Sequence, residues 1–221
     1  MTRSIPLTAG LLAAVAITAC GSSIQQSTST AAQSGAPVRA PRTPAERAAA
    51  DSGRPPYTAA DVHFISGMIG HHAQAVVMAN WAPTHGASAS VRTLCERIAV
   101  AQTDEIKFMQ RWLRERKEPV PDGDTSHMMM AGMDMKLMPG MLTPEQLTEL
   151  DKAQGTDYDR LFLRFMIQHH EGAVTMVNTL FGSNGAGQDE DVFKFASDVY
   201  ADQTTEINRM TLMLQSVPGN R

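Results

Sequence analysis

The chain has 221 residues, of which 19% are charged, and its formal net charge is -4 at pH 7. This length suits one domain with tails, and the charge balance gives no basic surface of the kind that nucleic-acid binding requires. The composition is unusual in one respect, because the chain contains 15 methionines but only 2 cysteines. Partners other than nucleic acid are therefore expected, and methionine chemistry is the feature to explain.

The first 20 residues are predicted to be a signal peptide. Arg3 precedes an almost entirely apolar or small run at 7–19, which is shorter than the about 20 apolar residues that a membrane-spanning helix needs. The segment ends I-T-A-C at 17–20, which resembles the lipobox of bacterial lipoproteins, with Cys20 as the lipidated residue. An ordinary signal peptide cleaved near Ala19 is the alternative. Either interpretation predicts an extracytoplasmic protein, and the first attaches it to the membrane.

Residues 21–56 are predicted to be a disordered tether, and residues 57–216 a single helical domain. The tether is rich in Ser, Thr, Ala, Gln, Gly and Pro, so it cannot bury enough apolar surface to offset the entropy of ordering. With Cys20 lipidated, Cys95 is the one cysteine left and no intramolecular disulfide can form. Cys95 follows an apolar stripe, and we expect it to be buried and unreactive.

The first predicted hairpin consists of helices at 59–81 and 88–117. Thr58 and Asp61 have the spacing of an N-terminal capping box, which gives Asp61 a structural role. Pro119 ends the second helix.

The second predicted hairpin consists of helices at 157–181 and 189–215. Thr156 and Asp159 repeat the capping-box spacing before the first of these. A short helix ending near residue 153 precedes the hairpin, because T-P-E-Q at 143–146 combines a cap, a first-turn proline and a capping-box glutamine.

An internal duplication relates the two hairpins. The sequence M-I-x-H-H-x-x-A-V-x-M occurs at 68–78 and again at 166–176, an offset of 98. The sequence Q-T-x-E-I-x-x-M occurs at 102–109 and again at 203–210, an offset of 101. Two copies of a hairpin predict an all-α protein with a four-helix bundle. A methionine-rich linker and the short helix join the two copies.

The repeated polar residues fall on helix faces that should be buried. A hydrogen-bonded polar network is one explanation, but burying such groups without partners costs several kcal/mol. A metal ion is the simplest common partner for side chains from facing helices. The candidate ligands are His71, His72, Glu105, His169, His170 and Glu206, with Met68 and Met166 beside the histidines.

Ligand type favours copper, with zinc or iron as alternatives. Imidazole suits all three metals, whereas thioethers select Cu(I). A di-iron bundle needs four carboxylates with Glu-x-x-His pairs, and the repeat supplies only two glutamates. The linker at 119–142 is a second candidate site for soft metals, although it could instead be an adaptable apolar surface. Its candidate ligands are His127, Met128, Met129, Met130, Met133 and Met135.

The doubled segments, together with M-P-G-M-L-T-P-E-Q-L at 138–147, resemble the bacterial domain-of-unknown-function family 305 across residues 57–216. This resemblance implies a ferritin-like fold. Because the family includes periplasmic copper-binding proteins linked to copper resistance, it also implies extracytoplasmic copper handling. Gly67 and Gly70 stand where the second copy has Phe165 and Gln168, so the two halves are not equivalent.

The function expected from the sequence is that of a lipid-anchored copper-binding protein for sequestration, resistance or transfer. One alternative is a ferritin-like metallo-oxidase that oxidises Cu(I) or Fe(II). Another is an interaction module in which the polar core only fixes the helix register.

Overall fold

The computed structural model describes residues 57–122 and 138–219, and all regular structure in these ranges is α-helical. The helices are α1 (Ala59–Asn80), α2 (Ala89–Glu115), α3 (Pro144–Lys152), α4 (Thr156–Phe181) and α5 (Glu190–Ser216). Helix α1 packs against α2, α4 packs against α5, and the two hairpins meet mainly through α1 and α4. The all-α bundle of two hairpins is therefore confirmed. Across the described ranges, no helix has both the length and the apolar character needed to cross a membrane.

Two of the three predicted capping boxes are confirmed. Thr58 and Asp61 cap α1 reciprocally, and Thr143 and Gln146 do the same for α3. The second carboxylate oxygen of Asp61 accepts a hydrogen bond from the backbone N–H of Gly187 at 2.7 Å. Asp61 therefore also ties the loop between α4 and α5 to the start of α1.

The capping box predicted for Thr156 and Asp159 is wrong. Helix α4 already includes Thr156, and its N-cap is Gly155, which has a φ of 56° and no side chain to act as a cap. Asp159 is buried, and its carboxylate accepts a hydrogen bond from the backbone N–H of Ser88 at 3.1 Å. Because Thr156 lies within the helix and cannot cap it, Asp159 instead joins α4 to the start of α2.

The buried apolar residues form two clusters at opposite ends of the bundle. The first includes Met78 and Leu94, and the second includes Ile65 and Met109. Between the clusters each long helix contributes polar residues, and we call this set the polar layer. Its members are His71, His72, Gln102, Glu105, His169, His170, Gln203 and Glu206.

Candidate metal centre

The polar layer contains two histidine–glutamate pairs, one in each hairpin. His72 Nε2 lies 2.8 Å from Glu105 Oε2, and His170 Nε2 lies 2.7 Å from Glu206 Oε2. Both imidazoles are fully buried, whereas the glutamate side chains are 24% and 25% exposed. Each pair thus links a ring inside the bundle to a carboxylate at its rim, and the two pairs follow the internal duplication.

The other two histidines meet where α1 and α4 pack together. The ring centroids of His71 and His169 are 3.8 Å apart, and both side chains are completely buried. His71 Nε2 lies 3.0 Å from the carbonyl oxygen of Pro139, and His169 Nε2 lies 2.9 Å from the carbonyl oxygen of His71. The four core histidines, His71, His72, His169 and His170, therefore belong to one continuous layer across the bundle.

The contacts of the core histidines determine which ring nitrogen carries the proton. Every Nε2 faces a carbonyl or a carboxylate oxygen, and these groups can only accept hydrogen bonds. A neutral ring must then carry its proton on Nε2 and its lone pair on Nδ1. The contact of His72 with Glu105 is close but lacks the alignment of a hydrogen bond. In the described part of the chain, no partner reaches any of the four buried Nδ1 atoms.

Burial favours the neutral form of His71, His169 and His170 by lowering the pKa of each ring. It is the main cause that lowers the pKa of His71 to about 3, and the charge of His72 contributes in the same direction. Burial, followed by the neighbouring His71, lowers the pKa of His169 well below its usual value. Burial also lowers the pKa of His170, although its hydrogen bond to Glu206 acts in the opposite direction. Neutral imidazole is the form that binds metal ions.

Carboxyl groups from α2 and α5 gather at the rim of the polar layer. Burial is the main cause that raises the pKa of Asp202, and the charges of Glu105 and Glu206 raise it further. Asp202 is missing from the sequence prediction because the matching position in the first copy is Ala101. Negative charge at the rim of a buried layer attracts cations.

Two buried glutamines complete the layer. Both side-chain amide atoms of Gln102, and the oxygen of Gln203, find no hydrogen-bond partner within residues 57–122 and 138–219. Together with the four Nδ1 atoms, they form a group of buried polar atoms whose hydrogen-bonding capacity the described part of the chain does not satisfy. Unsatisfied groups of this kind are rare in folded proteins and call for an explanation.

The end of the linker is held against α1 and α4 by residues that differ between the two copies of the repeat. The side-chain amide of Gln74 donates to Leu142 O at 3.1 Å and accepts from Leu142 N at 2.8 Å. The matching residue in the second copy is Gly172. A Cβ added to Gly172 would lie 2.0 Å from the carbonyl oxygen of Pro139. Because Gly172 has no side chain, the Pro139 carbonyl can approach α4 and contact His71. The positions that differ between the two copies here are Gln74 and Gly172.

The remaining candidate ligands are either in the apolar core or outside the described residues. Met68 and Met166 are fully buried in the apolar clusters on either side of the polar layer. The linker candidates His127, Met128, Met129, Met130, Met133 and Met135 fall within 123–137, outside the described ranges. Cys95 is buried as predicted, and burial raises the pKa of its thiol to about 12.

Within the described ranges, no three His, Cys, Asp or Glu side chains are grouped so that they could hold one metal ion together. Any metal ion that needs three such ligands would require side chains of the layer to move.

Comparison with known proteins gives a family. The family model described as domain of unknown function DUF305 matches residues 61–214. The chain belongs to the DUF305 family. No curated protein matches it significantly.

Three solved structures illustrate the relationship. A DUF305 fragment from Deinococcus radiodurans is 27% identical with a TM-score of 0.59, and the match covers 73% of this chain and 99% of that one. A DUF305 protein from Streptomyces coelicolor, described as a predicted secreted protein, is 28% identical with a TM-score of 0.59, over 71% of this chain and 91% of that one. CopM in its Cu(II)-bound form is 30% identical with a TM-score of 0.56, over 70% of this chain and 95% of that one. The ferritin-like helical fold expected from the sequence is thus confirmed.

Proposed function

We propose that the polar layer binds a soft monovalent metal ion, copper(I), and that the protein sequesters this ion or passes it on. The observation that carries the proposal is the state of the four core histidines. Each is buried, each directs Nε2 at an oxygen acceptor, and each has an Nδ1 atom that finds no partner among the described residues. Metal-binding histidines usually donate their other ring N–H to a carboxylate or a carbonyl in this way.

In this proposal the Nδ1 atoms of the core histidines are the ligands. Glu105 and Glu206 orient the rings of His72 and His170, so they act on the ion through those rings. Met68 and Met166, which lie in the apolar clusters on either side of the polar layer, are further soft donors. The linker donors at 127–135 form a second and softer site. Zinc and iron fit less well, because the layer supplies only two glutamates and each already faces a histidine.

The relatives support copper as the ion. CopM has been solved in Cu(II)-bound, Cu(I)-bound and silver-bound forms, and its Cu(I)-bound form is 30% identical to this chain over 74% of it. Silver(I) has the charge and the softness of copper(I), so one protein that binds both presents a site suited to soft monovalent ions. In this chain the thioethers of Met68 and Met166, which are fully buried next to the polar layer, favour the same kind of ion.

A comparison of variants tests the proposal. His72→Ala combined with His170→Ala removes one core ligand from each hairpin and should abolish high-affinity Cu(I) binding, measured anaerobically against a competing chelator. Copper should also stop raising the melting temperature, since a ligand at a hundredfold excess over its Kd stabilises a protein by about 2.7 kcal/mol. His85→Gln is the matched control, because His85 is buried but hydrogen-bonded through both ring nitrogens. Unchanged copper affinity in the double variant would refute the proposal.

We also propose that the protein works outside the cytoplasm as a lipoprotein attached through Cys20. The I-T-A-C sequence at 17–20 and the secreted relative from Streptomyces coelicolor support this location. Cys20→Ser should move the protein from the membrane fraction to the soluble extracytoplasmic fraction. Retention of the variant in the membrane fraction would mean that another segment is the anchor.

A further inference from the structure

A cavity of about 160 Å³ lies between α1 and the C-terminal half of α4, where the linker rejoins the bundle. Its walls are mainly apolar, and none of its lining residues in the described ranges is a carboxylate. Three side chains with nitrogen or sulfur donors line it, each from a different segment: His63 of α1, Met138 of the linker and Met176 of α4. None of the core histidines lines this cavity, so it is separate from the polar layer.

Gly67 creates the space in which the two methionines meet. A Cβ added to Gly67 would lie 3.2 Å from Met138 Sδ and 3.5 Å from Met176 Cε. Both thioether groups therefore converge on one point beside α1. The second copy of the repeat has Phe165 at the matching position, and its side chain is buried. At the position that matches Gly67, the second copy therefore has a large buried side chain in place of the open space.

His63 supplies a third donor at the mouth of the cavity. It precedes Gly67 by four residues and therefore lies one turn away on the same face of α1. Its side chain is exposed, so its imidazole can reach an ion that enters from solvent. Met138 and Met176 are half-buried, and both line the cavity. The exposure of the three residues therefore decreases from His63, which is exposed, to Met138 and Met176, which are half-buried.

We propose that His63, Met138 and Met176 form a further site for a soft monovalent ion, separate from the histidines of the polar layer. Thioethers select Cu(I) and Ag(I), and imidazole also suits copper. Hard ions and zinc prefer charged oxygen, thiolate or several nitrogen ligands, which the lining does not supply. A single positive charge is also the least costly charge to bring into an apolar cavity.

The test uses the full chain and Cu(I) under anaerobic conditions, with Ag(I) as a second probe. Met138→Leu combined with Met176→Leu preserves apolar volume, and swaps of this kind usually cost less than about 1.5 kcal/mol each. This variant should lose one equivalent of bound Cu(I) and of bound Ag(I). Gly67→Leu, which retains all three donor residues but fills the space in which their side chains meet, should lose the same equivalent. Circular dichroism confirms beforehand that the variants are folded.

Met141→Leu combined with Met213→Leu is the matched control, because neither of these methionines lines the cavity. It should bind as many ions as the wild type. Equal stoichiometry in the Met138/Met176 variant and in this control would overturn the proposal and leave the two methionines as packing residues. Loss of the equivalent in that variant, together with unchanged binding in the His72/His170 variant, would support this site while refuting the histidine one.

Discussion

Replacing Asp189 by alanine is expected to destabilise the protein by about 3–5 kcal/mol, because it leaves a buried arginine without its main counter-charge. Asp189 Oδ2 lies 2.5 Å from Arg116 Nη2, and both side chains are almost completely buried. Its other oxygen accepts hydrogen bonds from Trp112 Nε1 at 3.2 Å and from the backbone N–H of Val192 at 3.1 Å. One carboxylate therefore caps α5 and binds the C-terminal end of α2, which fastens one hairpin to the other.

One further variant separates the charge of Asp189 from its role as a helix cap, and a second variant, at Asp198, is the control. Asp189→Asn keeps an oxygen for the cap but removes the charge, so its loss of stability should be smaller than that of alanine. Asp198→Ala breaks an ion pair with Lys194 in which both side chains are more than half exposed, and exposed pairs are worth at most about 1 kcal/mol. Urea denaturation measures the free energy of unfolding of each variant. A loss for Asp189→Ala no larger than that for Asp198→Ala would contradict this account of how the hairpins are joined.

The duplication explains why so much of the fold could be predicted from one sequence. Each helix carries its polar residues at the same place between two apolar stretches, so the repeat predicts both the bundle and a polar layer across it. Helix bounds followed from local signals such as Thr58 with Asp61, in which both partners of the cap lie within one turn. Asp159 shows the limit of that reasoning, since its partner is the backbone of Ser88, 71 residues away.

The chemistry of the core histidines could not be predicted in the same way. The choice of the proton-bearing nitrogen depends on Pro139 O for His71 and on His71 O for His169, contacts that span 68 and 98 residues. Every residue has a backbone carbonyl, so the sequence does not indicate which carbonyl will contact a given histidine. The approach of Pro139 also needs the absence of a side chain at Gly172. In the sequence, Gly67 and Gly70 alone identified the two halves as inequivalent, and the mismatch between Gln74 and Gly172 was not used.

The central claim is that the core histidines bind a soft ion through Nδ1 while Nε2 keeps its proton. The effect expected on binding is large, because within residues 57–122 and 138–219 Nδ1 of every core histidine lacks a hydrogen-bond partner. Silver(I) is a suitable probe, since it is stable in air and shares the charge and softness of copper(I). Metal binding at Nδ1 leaves the Nε2–H contacts to Glu105 and Glu206 intact, so the glutamates should remain paired in the bound state.

Long-range proton–nitrogen NMR correlation of protein carrying nitrogen-15 histidine, recorded with and without one equivalent of silver(I), tests this claim most directly. We expect the Nδ1 signals of core histidines to move to the position of a metal-bound nitrogen. Their Nε2 signals should stay at the position of a protonated nitrogen. His85 is the internal control, and its signals should not move because both of its nitrogens are hydrogen-bonded. Binding through Nε2, or a spectrum in which no core histidine responds to silver, would contradict the account.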